Sequence, residues 1–310
     1  MFEGERAEEI IRLLKEAKAK KVLVQVPEGL KTGVQELADL LGRSGMEPVI
    51  SAEPCFGACD LRDREAKALG CDTLLHVGHA DLKLKTAVKT VYYEYPIDYD
   101  FVRLLGKFMG KIHFKSICVV STVQFRESAK GAKAFLEKNG LDACDGGHIL
   151  GCDASQAKKC EPSIDAYLFI GSGRFHPLGL QEKTEKPVLF LDVENQTLDD
   201  LSREKGKMEI KRKLRIEKAR SLETFGILVS TKPGQMNVKK VLEMKGMLET
   251  AGKKAYVIAA DFLSPDKLLG LKLDALINTA CPRMRDDAEQ FGKTVLNPGD
   301  VDEMLAQKTE

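Results

Sequence analysis

The sequence lacks three features that would each indicate a class of protein. It has no excess of charge of either sign, because 48 basic residues stand against 47 acidic ones, so nothing favours a nucleic-acid or an anionic membrane surface. It has no apolar run near the roughly 18 residues that a membrane-spanning helix needs. The first residues, Met1 to Lys21, have the charged and apolar periodicity of an amphipathic helix and not of a signal peptide. We therefore expect a cytoplasmic protein that binds neither membrane nor nucleic acid directly.

The eight cysteines do not indicate a disulfide framework, since a cytoplasmic chain of this size keeps its thiols reduced. Cys118 lies in an apolar run and Cys71 begins a strand-like segment, so both are expected to be small buried hydrophobes. The pattern assigns no role to three others: Cys55, Cys144 and Cys160. The last three each stand just after a predicted strand: Cys59, Cys152 and Cys281.

An internal repeat organises the chain. A strand-like segment that begins at Cys71 recurs from Ile164 and from Leu273, and its aspartates, Asp72, Asp165 and Asp274, are separated by 93 and 109 residues. This period indicates three similar domains and not a solenoid of short repeats. In each domain we predict the order strand, helix, strand, helix, strand and a short last strand. Short apolar runs alternating with amphipathic helices are typical of parallel sheets covered on both faces.

The predicted domains are residues 1–106 with Cys59, 107–215 with Cys152, and 216–310 with Cys281. The second ends in a charged helical linker, whose basic run is expected to be a solvated helix face and not a nucleic-acid patch. Ligands bind beyond the carboxyl ends of the strands in such sheets. Each domain thus offers one thiol at that edge, and a pseudo-threefold arrangement would bring the three thiols together.

Three converging thiolates suit a 4Fe–4S cluster that has one open iron, which can bind and activate a ligand. A closed zinc site would need a fourth ligand and usually has closely spaced pairs. Cys55 and Cys59 have no matching second pair. The fold class predicted is therefore α/β, with three pseudo-repeated parallel-sheet domains around a central iron–sulfur site. On spacing alone, scattered buried thiols remain the alternative.

Seven short motifs surround the predicted ligands and loops: Gly57-Ala58-Cys59-Asp60, Gly78-His79-Ala80-Asp81, Ser121-Thr122-Val123-Gln124-Phe125, Ile149-Leu150-Gly151-Cys152, Ile170-Gly171-Ser172-Gly173-Arg174-Phe175-His176-Pro177, Val229-Ser230-Thr231-Lys232-Pro233-Gly234-Gln235 and Ala280-Cys281-Pro282-Arg283. They resemble the motifs of the archaeal 2-(3-amino-3-carboxypropyl)histidine synthase family of diphthamide synthesis. The similarity spans the chain from about residue 20 to 300, and in combination the motifs are specific.

The resemblance implies a radical S-adenosylmethionine enzyme that is a homodimer of three-domain chains. Cys59, Cys152 and Cys281 would each donate a thiolate to a 4Fe–4S cluster, and no catalytic residue is expected beyond that cluster. The implied reaction cleaves the bond between sulfur and the methionine Cγ and releases methylthioadenosine. The 3-amino-3-carboxypropyl radical adds to imidazole C2 of a histidine in translation elongation factor 2, the first step of diphthamide biosynthesis. An electron donor is a further partner.

The predicted contacts to the S-adenosylmethionine co-substrate lie in two loops. The first runs from Ser230 to Gln235 and could wrap the co-substrate through backbone N–H groups and the Gln235 amide, although a lone loop of this kind is more often a plain turn. In the second loop, Arg283 could pair with the co-substrate carboxylate, the alternative being a surface salt bridge. The predicted cofactor-binding residues are Ser230, Gly234, Gln235 and Arg283. His79 and His176 are expected to be turn residues.

Two other functions stay open at this point. A quinolinate-synthase-like enzyme also combines three pseudo-symmetric α/β domains with a three-cysteine cluster, but it uses the open iron as a Lewis acid in a dehydration. The third possibility is a non-enzymatic metal-binding protein. Release of methylthioadenosine from S-adenosylmethionine separates the first function from the second, and iron content separates both from the third.

Overall fold

The structure is a computed structural model that describes residues 1–285 and 288–306. It contains three sheets whose first four strands follow the same order. In each sheet the first strand along the chain lies between the second and the third, and the fourth lies outside the third. All pairings among these four strands are parallel. The predicted α/β class with three parallel sheets is confirmed.

The first sheet comprises four strands, and its elements in chain order are α1 (Glu5–Glu16), β1 (Lys21–Gln25), α2 (Val34–Arg43), β2 (Glu47–Ile50), α3 (Asp63–Ala68), β3 (Thr73–Val77) and β4 (Lys89–Tyr93). Side chains alternate between its two faces, as the strand period of two requires. Val22 and Val24 pack into one apolar core with α1 and α2, while Leu23 packs into a second core with Leu74. Each such buried side chain stabilises the fold by about 1.5–3 kcal/mol.

The second sheet has five strands, and its elements are α4 (Phe101–Gly106), β5 (Ser116–Ser121), α5 (Arg126–Lys138), β6 (Asp142–His148), α6 (Ser155–Lys158), β7 (Ala166–Gly171), α7 (Phe175–Lys183), β8 (Val188–Asp192), β9 (Thr197–Asp200) and α8 (Ser202–Arg220). The predicted order omits β9, which pairs antiparallel with β8. The turn between them contains Gln196 at a φ of 52°, a conformation that apolar periodicity cannot reveal. The predicted charged linker is part of α8.

The third sheet has four strands, and its elements are β10 (Thr224–Ser230), α9 (Val238–Thr250), β11 (Lys254–Ala260), β12 (Ala275–Asn278), β13 (Thr294–Leu296) and α10 (Pro298–Leu305). The helix predicted between its second and third strands is wrong, because this connection contains only a 3-10 turn, Pro265–Leu268. Gly270 follows at a φ of 81°. Proline at the start and a left-handed glycine after the turn leave too little chain for an α-helix.

The repeated aspartates have the same role in all three sheets. The Asp72 carboxylate accepts a 2.9 Å hydrogen bond from the backbone N–H of Lys21, at the start of β1. Asp165 accepts one of 3.0 Å from Ser116 at the start of β5, and Asp274 accepts one of 2.8 Å from Thr224 at the start of β10. In each case the carboxylate satisfies donors that would otherwise lack a partner at the strand end. The sequence repeat is therefore also a repeat of hydrogen bonds.

The chain consists of two compact units. One unit comprises Met1–Ile97 together with Lys232–Gly234, and the other comprises Asp98–Thr231 and the chain from Gln235 onward. The predicted boundary at residues 215 and 216 lies inside the continuous helix α8, and the three-domain division stays a prediction. Within the described ranges, no helix is both long enough and apolar enough to cross a membrane.

Candidate active site

The Cys59 loop follows β2 in the first compact unit and is attached to the end of β1. The Gln25 side chain, which is fully buried, donates a 2.7 Å hydrogen bond to the carbonyl of Asp60. Its amide oxygen accepts a hydrogen bond from the backbone N–H of Arg62 at 3.2 Å. The Asp60 carboxylate accepts another from the backbone N–H of Phe56 at 3.3 Å. These bonds fix the backbone on both sides of Cys59, whose side chain is half-buried.

The middle of the predicted cofactor loop contacts this cysteine. Lys232 forms a 2.6 Å ion pair with Asp60, and both side chains are buried. The backbone N–H of Gly234 donates to the carbonyl of Cys59 at 3.2 Å. A Cβ built on Gly234 would lie 2.4 Å from the Cys59 Cβ, closer than any real contact, so only glycine permits this approach. The segment Lys232–Gly234 accordingly belongs to the compact unit of Cys59.

The two ends of the same loop belong to the other compact unit. Ser230 is buried, and its hydroxyl donates a 2.8 Å hydrogen bond to the carbonyl of Asp261. This bond ties the end of β10 to the chain that follows β11. Gln235 is half-buried. The ligand contacts predicted for Ser230, Gly234 and Gln235 stay predictions.

A polar array extends from Gln25 through two histidines in the first unit. The Gln25 amide oxygen lies 3.0 Å from His76 Nδ1, and His76 Nε2 lies 3.1 Å from His79 Nδ1. Since Gln25 accepts, His76 donates from Nδ1 and its Nε2 accepts the proton of His79. Burial, together with the charge of His79, lowers the pKa of His76 to about 3, so its ring is neutral at pH 7. Burial also raises the pKa of the nearby Cys55 thiol to about 12.

This array corrects the expectation that His79 is only a turn residue. His79 Nδ1 lies 4.0 Å from Cys55 Sγ. A metal ion bound by Cys55, His76 and His79 would need His76 Nε2 and His79 Nδ1, and these two nitrogens share the hydrogen bond between the rings. The sequence pattern could have indicated this pair of histidines, because His76 and His79 lie three residues apart where β3 ends.

The Cys152 loop follows β6 in the second unit and is held mainly by packing. A Cβ on Gly151 would lie 2.3 Å from the Phe175 ring, and one on Gly179 would lie 2.4 Å from the Gly151 carbonyl oxygen. The two glycines let α7 approach the loop closely. Lys183 at the end of α7 donates a hydrogen bond to the Cys152 carbonyl at 2.5 Å. The Cys152 side chain is exposed.

The Cys281 loop follows β12 in the same unit. Asn278, the last residue of the strand, donates from its side-chain amide to the Cys281 carbonyl at 2.9 Å. The Arg283 guanidinium lies over the Phe175 ring, 5.6 Å from its centroid, a distance at which cation and ring attract. Phe175 thus contacts both the Cys152 loop and the residue predicted to bind the co-substrate carboxylate, a role that sequence reasoning did not assign to it.

His176, next to Phe175, is also more than a turn residue. Its ring is nearly parallel to that of Phe169, with 6.3 Å between the centroids. Burial and the positive charge of Arg283 lower its pKa to about 4. His176 is therefore neutral at pH 7 and adds no positive charge beside Arg283.

The chain is an α/β protein with three parallel sheets, and in each of them a loop after a strand carries one of the predicted ligand cysteines. Comparison with known proteins gives the family. The model of the family described as "Putative diphthamide synthesis protein" matches residues 26–310. The chain belongs to this family. The predicted family is therefore confirmed, and so is the prediction of an enzyme of diphthamide synthesis.

Individual relatives agree with the family match. The chain is 36% identical to the 2-(3-amino-3-carboxypropyl)histidine synthase of Pyrococcus horikoshii over 97% of this chain and 90% of that protein. It is 29% identical to the protein of the same name from Methanocaldococcus jannaschii, over 90% of this chain and 82% of that one. A structure of Dph2 from Pyrococcus horikoshii with 4Fe-4S cluster superposes with a TM-score of 0.91 at 35% identity, covering 100% of this chain and 93% of that one.

Proposed function

We propose that this chain is a 4Fe–4S-dependent transferase that moves the 3-amino-3-carboxypropyl group from S-adenosylmethionine to imidazole C2 of a histidine. The family match over residues 26–310 and the names of the relatives support the reaction. The substrate is a protein, and we propose translation elongation factor 2. The reaction is the first step of diphthamide biosynthesis.

Cys59, Cys152 and Cys281 are the proposed cluster ligands. Their donor chemistry fits, since thiolates hold iron–sulfur clusters, and all eight cysteines lie in the described chain without a disulfide. Each of the three follows a strand of a parallel sheet, and each is exposed or half-buried. When bound, the cluster supplies the electron that cleaves the bond between sulfur and the methionine Cγ.

The observation that carries the proposal is the contact of Gly234 with Cys59. It supports a co-substrate loop beside a cluster ligand, because the predicted loop and the predicted ligand share a backbone hydrogen bond of 3.2 Å. The buried pair of Lys232 and Asp60 holds the loop there. Gly234 lets the loop approach without a side chain between loop and ligand.

Arg283 is the proposed partner of the co-substrate carboxylate. Its guanidinium is exposed and is oriented by the Phe175 ring, and such a planar group binds a carboxylate through two parallel hydrogen bonds. His176 beside it is neutral, so Arg283 supplies the positive charge that pairs with the co-substrate carboxylate. Gln235 is proposed to donate and accept hydrogen bonds with the methionyl group or the ribose.

The proposed setting is cytoplasmic, with a homodimer and a separate electron donor. The deciding experiment is anaerobic turnover with elongation factor 2, S-adenosylmethionine and dithionite, followed by peptide mass mapping. We expect methylthioadenosine release and one histidine heavier by a 3-amino-3-carboxypropyl group. An iron-containing protein that releases no methylthioadenosine would favour the quinolinate-synthase-like alternative, and methylthioadenosine release without a modified histidine would overturn the proposed substrate.

A further inference from the structure

A second group of three cysteines lies in the second compact unit, and none of them is a predicted cluster ligand. The Sγ atoms of Cys118, Cys144 and Cys160 all lie within 4.8 Å of one another. Cys118 on β5 is paired in register with Cys144 on β6, and Cys160 follows α6. Three separate elements therefore each bring one sulfur to the same point.

The backbone beside this group departs from regular pairing. Val119 is opposite Asp145, but Ser121 is opposite His148, so β6 has one extra residue there, as in a bulge. Gly146 lies in this irregular stretch, and a Cβ built on it would lie 2.5 Å from the Cys118 sulfur. The lack of a side chain at residue 146 gives that sulfur its space.

We propose that Cys118, Cys144 and Cys160 form a thiolate site for a soft divalent metal ion of the zinc class. Zinc–sulfur bonds are about 2.3 Å long, so three sulfurs around one ion lie roughly 4 Å apart. All three observed separations lie within 4.8 Å, a limit that is compatible with that value. A disulfide would bring two sulfurs to about 2.05 Å and leave the third unused, whereas a metal ion uses all three.

Metal binding exchanges three protons for one ion. Burial raises the pKa of Cys118, and burial with hydrogen bonding to Cys160 raises the pKa of Cys144 to about 11. Cys118 and Cys144 are therefore neutral thiols in the absence of metal, and all three cysteines pack with the apolar core around them. When a divalent ion binds, the three protons leave to solvent and the complex carries one negative charge.

A depression in the surface borders one of the three cysteines. It has a volume of about 670 Å³ and is lined by Cys144 together with the acidic residues Glu137 and Asp142. Carboxylates at such a depression attract a cation. Cys144 and Cys160 are half-buried, whereas Cys118 is fully buried. We assign the fourth coordination position to water on the side of this depression.

The test is a titration of the anaerobically purified, reduced and cluster-loaded full chain with Cd²⁺, followed by the ultraviolet charge-transfer absorption of thiolate bound to cadmium. The iron–sulfur cluster occupies its own cysteines during this titration. We expect the absorption to saturate at one Cd²⁺ per chain and Zn²⁺ to compete for the same site. Cys144→Ser and Cys160→Ser should each lose the absorption, and the control Cys71→Ser, another buried thiol, should retain it.

Iron content and circular dichroism of each variant show that loss of cadmium binding is not loss of fold. The two half-buried positions are chosen because serine is tolerated there more readily than at the fully buried Cys118. The proposal is overturned if the wild-type chain shows no saturable absorption, if both serine variants keep it, or if peptide mapping finds a disulfide between any two of the three cysteines in the anaerobic protein.

Discussion

The Cys59 loop and the Cys152 loop occupy the same place in their sheets, each following the second strand, but different forces hold them. The Cys59 loop is held by charge and hydrogen bonds, through the buried Asp60–Lys232 pair and the Gln25 amide. The Cys152 loop is held mainly by close packing of Gly151 against Phe175 and Gly179, together with a hydrogen bond from Lys183 to the Cys152 carbonyl. A repeat can thus preserve the position of a thiol while the supporting interactions change.

This difference determines what each loop tolerates. A buried ion pair is destroyed by removal of one charge, because the other is left without compensation in a dry environment. A packed glycine contact is insensitive to charge but does not accommodate added volume. Charge substitutions at Asp60 and Lys232 should therefore disturb the Cys59 loop, and added methyl groups at Gly151 or Gly179 the Cys152 loop.

The largest effect is expected when a proposed cluster ligand is removed, and it should be the same in both loops. Cys59→Ala, Cys152→Ala and Cys281→Ala should each remove most of the iron and abolish methylthioadenosine release, because each takes away one proposed cluster ligand. Iron analysis and visible absorption of anaerobic protein measure the first effect. Cys71→Ala, a buried thiol of the first unit, should keep wild-type iron content. Full cluster retention in Cys152→Ala would remove that residue from the ligand set.

The second prediction tests the charge-held loop. Lys232→Met should destabilise the protein by about 3–5 kcal/mol, since Asp60 is fully buried and would lose the nearer of its two cations; Arg62 lies 3.9 Å away. The double variant Asp60→Leu with Lys232→Leu should recover much of that loss, because both charges of the pair are removed together and Arg62 keeps its ion pair with Glu53 at 3.5 Å. Urea unfolding of the anaerobic protein measures both.

Lys245→Met is the matched control for Lys232. Lys245 also pairs with a carboxylate, Glu249, but on the exposed surface of α9, where such a pair contributes about 0.3–0.5 kcal/mol. If both lysine variants lose the same small amount, the Asp60–Lys232 pair does not hold the Cys59 loop.

The repeat and the strand-end cysteines could be predicted because they depend on local patterns. Apolar runs mark the strands, and the recurring aspartates at 72, 165 and 274 have one structural role each time. The strand β9 could not be predicted in this way, since it is short and polar.

The supports of the site depend on contacts between distant residues. Lys232 and Asp60 are 172 positions apart, and no periodicity connects them. Phe175 belongs to one of the sequence motifs, but its packing on Gly151 depends on the three-dimensional path of α7 and could not be predicted from the motif. The second cysteine group also depends on a contact between distant residues. Alignment of the strands could pair Cys118 with Cys144, whereas Cys160 lies on a different element.

The third prediction concerns the end of the loop that contacts Cys59. Gln235→Ala should leave the iron content unchanged and weaken S-adenosylmethionine binding. Loss of one hydrogen bond to a charged group costs about 1.5–3 kcal/mol, which corresponds to a roughly tenfold to hundredfold loss in affinity. Calorimetric titration of the cluster-loaded protein under anaerobic conditions measures it. An unchanged affinity would remove Gln235 from the site and leave this end of the loop as an ordinary turn.

The smallest effect is expected in the loop held by packing. Gly151→Ala adds one methyl group where a Cβ would lie 2.3 Å from the Phe175 ring, and overpacking of this kind costs about 1–3 kcal/mol. Urea unfolding measures the loss. Gly206→Ala is the control, because nothing lies within 4 Å of a Cβ at that position of α8, and alanine there should stabilise the helix by about 1 kcal/mol.

A second substitution distinguishes the contact with the ring from a general effect at residue 151. In Phe175→Leu the ring is gone, so adding Gly151→Ala on that background should cost less than it does in the wild type. This non-additivity is the signature of a direct contact. If Gly151→Ala costs the same on both backgrounds, the Phe175 ring does not limit the volume available to the Cys152 loop. In that case, packing against Phe175 does not hold the Cys152 loop.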